Sequence, residues 1–300
     1  MDWIAGIGRP LDFIEEHLTD EIDYGEVAAV CYSSSYHFQR VFGIMCGYTL
    51  GEYIRCRRLS LAGAELQAGD AKVIDVALKY GYDNPDSFAR AFKAFHGVTP
   101  SQARDRSVPL RSFSRLVLKF SLEGGTTMNY RIEEKPEMIL TGYKRRFTGV
   151  PGEREDQECD FYVHTRPLQY MLNGMSRHPE DHFDVISDLN DDGFDFWIAQ
   201  ELTPFMRENI HKDSVLGDPW ANEFENIVIP AHTYAVFETD RCKYPTTVFL
   251  DLRKRIITEW LPGSGYQIAD APEITATHWY NHPRDRERYY EIWLPIEKCE

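Results

Sequence analysis

Tyr32-Ser-Ser-Ser-Tyr-His-Phe-Gln-Arg-Val-Phe42 and Tyr82-Asp-Asn-Pro-Asp-Ser-Phe-Ala-Arg-Ala-Phe92 are one phrase written twice, fifty residues apart (88 − 38 = 50). Gly47 and Thr49 return as Gly97 and Thr99 at the same offset. A repeat of this length marks one supersecondary unit used twice. Phe38, Val41 and Phe42 fall at i, i+3 and i+4, as do Phe88, Ala91 and Phe92, with Phe95 a turn on. That spacing puts the aromatics on the buried face of a helix. Tyr36, Gln39, Arg40 and Gly43 then face outward in the first copy, and Asp86, Ala89, Arg90 and Lys93 in the second. An arginine at the same outward place in both copies, beside a capped turn, points to a helix–turn–helix reader of DNA rather than to solvated surface.

Outward from this phrase the N-terminal third reads as all helix. Leu11, Ile14 and Leu18 share a face after Pro10, and Asp23 with Glu26 forms a capping box. The first reading helix is expected from Ser35 to about Gly43. Thr49 and Glu52 open a long helix from Leu50 to Ala68, which Gly69 ends. At 1.5 Å per residue it spans about 28 Å, close to the ~34 Å between successive major grooves on one DNA face. Val73 to Leu78 starts the second unit, with Gly81 in its turn, Asn84 as cap and Pro85 at the first helical position. A short closing helix follows Thr99-Pro100-Ser101.

The 300 residues carry a net charge of −15. Residues 1–110 hold 11 Lys and Arg against 15 Asp and Glu, which leaves −11 for the remainder. DNA affinity must therefore come from a local cluster, for which Arg40, Arg55, Arg57 and Arg58 are the candidates. The six cysteines are scattered without a C-x-x-C pair, as expected of reduced thiols. No apolar run reaches about 18 residues and the start lacks a signal-peptide pattern, so a cytoplasmic protein without a membrane partner is expected.

Residues 109–127 read as a linker, and from residue 128 the texture becomes strands with two amphipathic helices. A weaker repeat is present. Ile132-Glu-Glu-Lys-Pro136 and strand Ile139–Phe147 resemble Ile227-Val-Ile-Pro230 and strand Tyr234–Glu238. A helix follows each, about Asp156–Leu172 and Thr246–Trp260. The closing strands Asp195–Ala199 and Glu291–Pro295 align at an offset of 96 (291 − 195; 293 − 197). An α+β domain of two pseudo-twofold strand–helix–strand–strand halves is expected. Strand alternation puts Asp195, Trp197, Glu291 and Trp293 on one face. Tyr143, Tyr234, Trp279 and Tyr280 on neighbouring strands would add to it. Carboxylates between aromatic walls suit a cationic or amphipathic small molecule, and a buried Glu291 would need a cation, proton or water to satisfy it.

Residues 10–106 resemble the DNA-binding domain of AraC/XylS-family activators. The matching stretches are A-A-V-C-Y-S-S-S-Y-H-F-Q-R-V-F, G-Y-T-L-G-E-Y-I-R-C-R-R-L and I-D-V-A-L-K-Y-G-Y-D-N-P-D-S-F-A-R-A-F-K. The resemblance implies two recognition helices in adjacent major grooves of double-stranded DNA. Tyr36, Gln39 and Arg40 would read bases, with Ser35 and His37 near them. Arg90 would read in the second unit, beside Pro85, Asp86, Ala89 and Lys93. Residues 128–298 resemble the GyrI-like, Rob-type effector-binding domain through I-P-A-H-T-Y-A-V-F, E-W-L-P-x-S-G-Y and E-I-W-L-P-I. That resemblance places Glu291 in the ligand pocket. The domains expected are 1–108 for DNA binding and 128–300 for the effector. The function expected is a transcription activator answering a small effector in a multidrug-type response, with RNA polymerase as a further partner and no cofactor or metal. The alternatives are a GyrI-like hydrolase or a protein-binding module fused to the DNA reader. No Ser-His-Asp motif, phosphate loop or metal frame supports an enzyme, since His278 and His282 lack zinc spacing.

Overall fold

A computed structural model describes residues 8–69, 71–117, 127–151, 155–210, 223–242, 246–279 and 287–299. The chain forms two compact units, residues 1–39 with 48–123, and residues 40–47 with 124–300. Part of the expected linker, 118–126, lies outside the described residues.

The N-terminal third is helical. Helix α1 (Gly8–Glu16) buries Leu11 and Ile14, and Leu18 is buried just beyond its end. Helix α2 (Tyr24–Ala29) starts at Asp23, whose carboxylate accepts from the backbone N–H of Gly25 and Glu26 at 2.6 and 3.1 Å. Helix α3 (Ser35–Cys46) runs three residues beyond its expected end. Helix α4 (Leu50–Ala68) has both bonds of the Thr49–Glu52 capping box, each 3.0 Å, and stops at Gly69 with φ +96°. Helices α5 (Val73–Lys79) and α6 (Pro85–His96) follow, the latter capped by Asn84. A 3₁₀ turn at Gln102–Arg104 comes last.

Leu59, Ala62 and Leu66 of α4 pack with Val76, Ala77, Phe88 and Phe92 in one core. Gly63 is required for that packing. A Cβ there would sit 2.7 Å from the His96 ring, whose Nε2 bonds the Leu59 carbonyl at 2.9 Å. The turns before α3 and α6 differ. The left-handed position is Gly81 (φ +80°) before α6 but Tyr32 (φ +57°) before α3. Each donates to the carbonyl three residues back. The sequence alignment pairs Tyr32 with Tyr82, so the two turns are out of step by one residue. A left-handed tyrosine costs about 1–2 kcal/mol.

The second unit is an antiparallel sheet with helices. Its strands are β1 (Tyr130–Lys135), β2 (Met138–Phe147), β3 (Asp181–Asn190), β4 (Gly193–Gln200), β5 (Glu225–Ile229), β6 (His232–Glu238), β7 (Tyr266–Ile268), β8 (Glu273–Trp279) and β9 (Arg288–Lys298). Their order is β1-β6-β9-β8-β3-β4-β2-β5, with β7 on β9. Two residues join β1 to β2, and two join β5 to β6, although each pair spans opposite ends of that order. Links this short draw the ends together, so the sheet must curl. The expected first-half helix is two, α7 (Glu155–His164) and α8 (Arg166–Met175), broken where Pro167 forbids continuity. Helix α9 (Pro204–Asn209) follows β4. In the second half α10 (Thr246–Arg255) continues through a π turn, Ile256–Trp260, into α11 (Leu261–Ser264).

The two faces of the sheet have separate cores. Tyr143, Phe147, Phe196 and Ile198 pack with Phe161, Leu168 and Leu172 of α7 and α8. Trp197, Trp293, Tyr234, Val185 and Ala276 share the other core, on the inner face.

Candidate functional site

Helix α6 presents its expected face. Pro85, Asp86, Arg90 and Lys93 are exposed, and Ala89 is half-buried. Asn84, Asp86, Ala89, Arg90, Lys93 and Thr99 line an open groove of about 530 Å³. Arg90 makes a long contact of 3.4 Å from Nη2 to the Ser87 hydroxyl, so little holds its guanidinium. Ala89 and Ser87 are small, which lets another backbone come close to this face.

Helix α3 is different. Tyr36, His37 and Gln39 are half-buried, and Gln39 donates to the Ser35 hydroxyl at 3.0 Å. Burial pushes the His37 imidazole down to about 4, so at neutral pH it is an uncharged ring. Arg40 departs from expectation. It is 3% exposed and pairs, as Arg253 does at 2.9 Å, with the buried Glu273 of the same compact unit. A carboxylate so deeply buried demands counter-charge, and that need is invisible in the local helix pattern.

The expected basic cluster is also largely committed. Arg57 forms a two-point pair with Glu15 at 2.7 and 2.8 Å. Arg58 donates to the carbonyls of Leu18 and Asp20 at 2.8 and 2.6 Å. Arg55 is exposed. Arg57 and Arg58 therefore fasten α4 to the α1 region rather than meeting phosphate.

On the sheet, Asp195, Trp197, Tyr234, Glu291 and Trp293 share the inner face, as alternation required. Tyr143 does not. It packs on Phe161 and its hydroxyl lies 3.2 Å from the Thr165 hydroxyl, on the helix side. Leu140 is inward, and Tyr143, an odd number of residues away, must point the other way. Trp279 closes β8, and Tyr280 lies outside the described residues.

The inner-face acids already have partners. Glu291 accepts from Arg131 at 2.6 Å and from the Trp293 indole at 2.8 Å, and His278 Nε2 lies 3.6 Å away. Burial works against its ionisation, but these three groups outweigh burial and hold its carboxyl at about 2. The partner expected for a buried Glu291, a cation, proton or water, is thus supplied by the chain's own Arg131 and Trp293. Asp195 is paired with Lys144 at 2.7 Å and Arg146 at 3.3 Å. Both indoles are covered from within: Lys135 stands 4.2 Å over Trp293 and Lys144 5.0 Å over Trp197. A cavity of about 460 Å³ opens beside Trp293, lined by Lys135, Met138, Ile139, Glu201 and Arg207 among others.

The helix-bearing face carries an acid that the sequence pattern does not reveal. Asp184 of β3 has a side chain only 14% exposed. Burial raises its carboxyl to about 7, against a hydrogen bond from the Tyr162 hydroxyl. Its Oδ1 has no hydrogen-bond partner. In sequence Asp184 sits in the polar, alternating run Asp181 to Asn190 and reads as a solvated strand residue; only the helices over it make it buried. Among the described residues, no three His, Cys, Asp or Glu are grouped to hold a metal. The six cysteines are free thiols.

Two family models match separate parts of the chain. Residues 27–106 match the helix-turn-helix domain model, and residues 168–296 match the integron-associated effector binding protein model. The transcriptional activator AarP of Providencia stuartii is 44% identical over 98 residues, 33% of this chain and 73% of that one. The regulatory protein SoxS of Salmonella typhimurium is 36% identical over 96 residues, 32% of this chain and 90% of its own. A crystal structure of a putative transcription regulation protein from Staphylococcus aureus matches with a TM-score of 0.42 at 12% identity, over 57% of this chain and 99% of that one. The chain belongs to the AraC/XylS family of transcriptional regulators, and its C-terminal part is similar to effector-binding domains of the GyrI-like kind. No described helix is long and apolar enough to cross a membrane.

Proposed function

We propose that this regulator is an activator that reads two adjacent major grooves through two helix–turn–helix units and answers a small cationic or amphipathic effector. The observation that carries the reading is the groove on α6, where Arg90 and Lys93 stand exposed on a capped helix of an AraC-family domain. The first unit, α2 with α3, would supply Ser35, Tyr36, His37 and Gln39, and α4, with 19 residues and a length of about 28 Å, would set the spacing. Arg40 enters the reading set only when it leaves Glu273. RNA polymerase is the partner an activator requires.

The effector would bind the C-terminal unit, whose sheet order supports a repeat-built domain. Strands β2, β3 and β4 and strands β6, β8 and β9 occupy mirrored places in the order. On the inner face, Trp293, Trp197, Tyr234, Asp195 and Glu291 are the sequence-derived contacts, and a cationic ligand there would have to displace Lys135 or Arg131. Any ligand shifts DNA binding only through unequal affinity for the two conformations. Footprinting on DNA upstream of the gene, with and without a cationic amphiphile, tests the whole reading. Two protected patches about 10 base pairs apart, changed in occupancy by the amphiphile, are expected. A single patch, or occupancy indifferent to every amphiphile tried, would remove one half of it.

A further inference from the structure

We propose that the charged head of a monocationic aromatic effector is seated at Asp184, among the tyrosines on the helix-bearing face of the sheet. The inference rests on the effector reading above and moves the seat away from Glu291.

The first ground is what surrounds the carboxylate. Tyr162 of α7 donates to it, and the hydroxyls of Tyr143 of β2 and Tyr290 of β9, raised chiefly by burial, are raised further by its charge. Phe249 of α10 meets the Tyr290 ring edge-on at 5.4 Å, so the helix of the second half packs against Tyr290. A buried carboxylate with three tyrosines near it suits a desolvated aromatic monocation.

The second ground is what is missing. Among the described residues, no lysine or arginine lies within ion-pair distance of Asp184; its nearest basic atom is His182 Nε2 at 3.8 Å. Burial, together with Arg288, holds His182 at about 4, so it brings no charge at neutral pH. Across the strand pair from His182, Thr277 also has a buried hydroxyl without a partner. Two unsatisfied buried polar atoms on neighbouring strands of one face are costly unless something completes them. At Glu291 an incoming cation must evict Arg131 and His278. At Asp184 it evicts nothing but a proton.

The other ionisable groups around Asp184 frame the expected pH response. From α7 they are Tyr162 and Glu158, from β2 Tyr143, from β3 His182, and from β9 Tyr290 and Arg288. Burial raises the three tyrosine hydroxyls and lowers the His182 imidazole, so all four are neutral near pH 7, whereas burial brings the Asp184 carboxyl to about 7. A cation needs the ionised carboxylate, so affinity should rise with pH.

The test uses the full chain and thioflavin T, an aromatic monocation that fluoresces when held rigid, beside its neutral analogue lacking the ring N-methyl group. For the wild type, binding of the cation should strengthen about tenfold between about pH 6 and about pH 8, and the neutral dye should not respond. Asp184→Asn should weaken the cation about tenfold or more at the higher pH, abolish its pH response and leave the neutral dye unchanged. Tyr290→Leu should weaken the cation while keeping the pH response. Undiminished cation binding in a folded Asp184→Asn removes the proposal and leaves the effector reading standing. Loss in Glu291→Gln in place of Asp184→Asn puts the seat on the inner face and also overturns it. A wild type that takes up neither dye removes the proposal and the cationic-effector reading together.

Discussion

Helices α3 and α6 come from the same repeated phrase, yet they stand in opposite conditions. In α6 the arginine of F-x-R-x-F is exposed beside an open groove; in α3 its counterpart is buried against Glu273. The turn before α6 has a glycine in the left-handed position, and the turn before α3 strains a tyrosine into it. From sequence the first copy reads as the fuller reading head, since Tyr36, Gln39 and Arg40 are better base partners than Pro85 and Asp86. The structure reverses the ranking of accessibility. A repeat keeps the helix and its arginine, while the surroundings of each copy decide whether that arginine is exposed.

The largest effect that sharpens this comparison is on the shared scaffold. Phe92 is fully buried between α4, α5 and α6, so Phe92→Ala should cost about 3–5 kcal/mol in chemical unfolding of the N-terminal unit. A loss below 1 kcal/mol, by the same core-truncation scale, would mean that the second unit does not depend on its aromatic core. Next comes the reading contrast. Arg90→Ala should cost about 1–3 kcal/mol of discrimination at one base pair, measured by competition footprinting. Arg40→Ala should cost less in the absence of effector, because its side chain is already engaged. Equal losses would erase the difference between the helices.

At about 1 kcal/mol stands the turn. Tyr32→Gly should raise stability by about that amount by relieving the left-handed tyrosine, which is 77% exposed and loses little packing. A destabilised variant would show that the ring has a role the strain offsets. The smallest effect is electrostatic. Lys93→Ala should lower the salt slope of DNA binding by roughly one unit without altering sequence preference. An altered preference would make Lys93 a base reader.

A second contrast, between two carboxylates, shows why part of the site was legible and part was not. Glu291 lies in E-I-W-L-P-I, a phrase with strict alternation and a family likeness, so its place on the inner face followed directly. Its partners did not, because Arg131 and His278 are 160 and 13 residues away and meet it only through strand pairing (291 − 131; 291 − 278). Asp184 gave no signal at all. It lies in the strand Asp-His-Phe-Asp-Val-Ile-Ser-Asp, whose polarity matches an exposed face. Tyr143 departs for a smaller reason: its strand is legible, but it stands three residues from the inward Leu140 and so points to the helix side.

What the amino-acid order determined by itself was local. The caps at Asp23, Thr49 and Asn84, the length of α4, the stop at Gly69 and the alternation on β4 and β9 all follow from neighbours within a few residues. Those features depend on hydrogen bonds and periodicities that span a single turn or one pleat. What only the tertiary structure decided was the state of each charge: Arg40 and Glu291 engaged, Arg90 exposed, Asp184 buried among tyrosines. Charge in a protein takes its meaning from burial and from partners remote in the chain, and neither is written in the residues beside it.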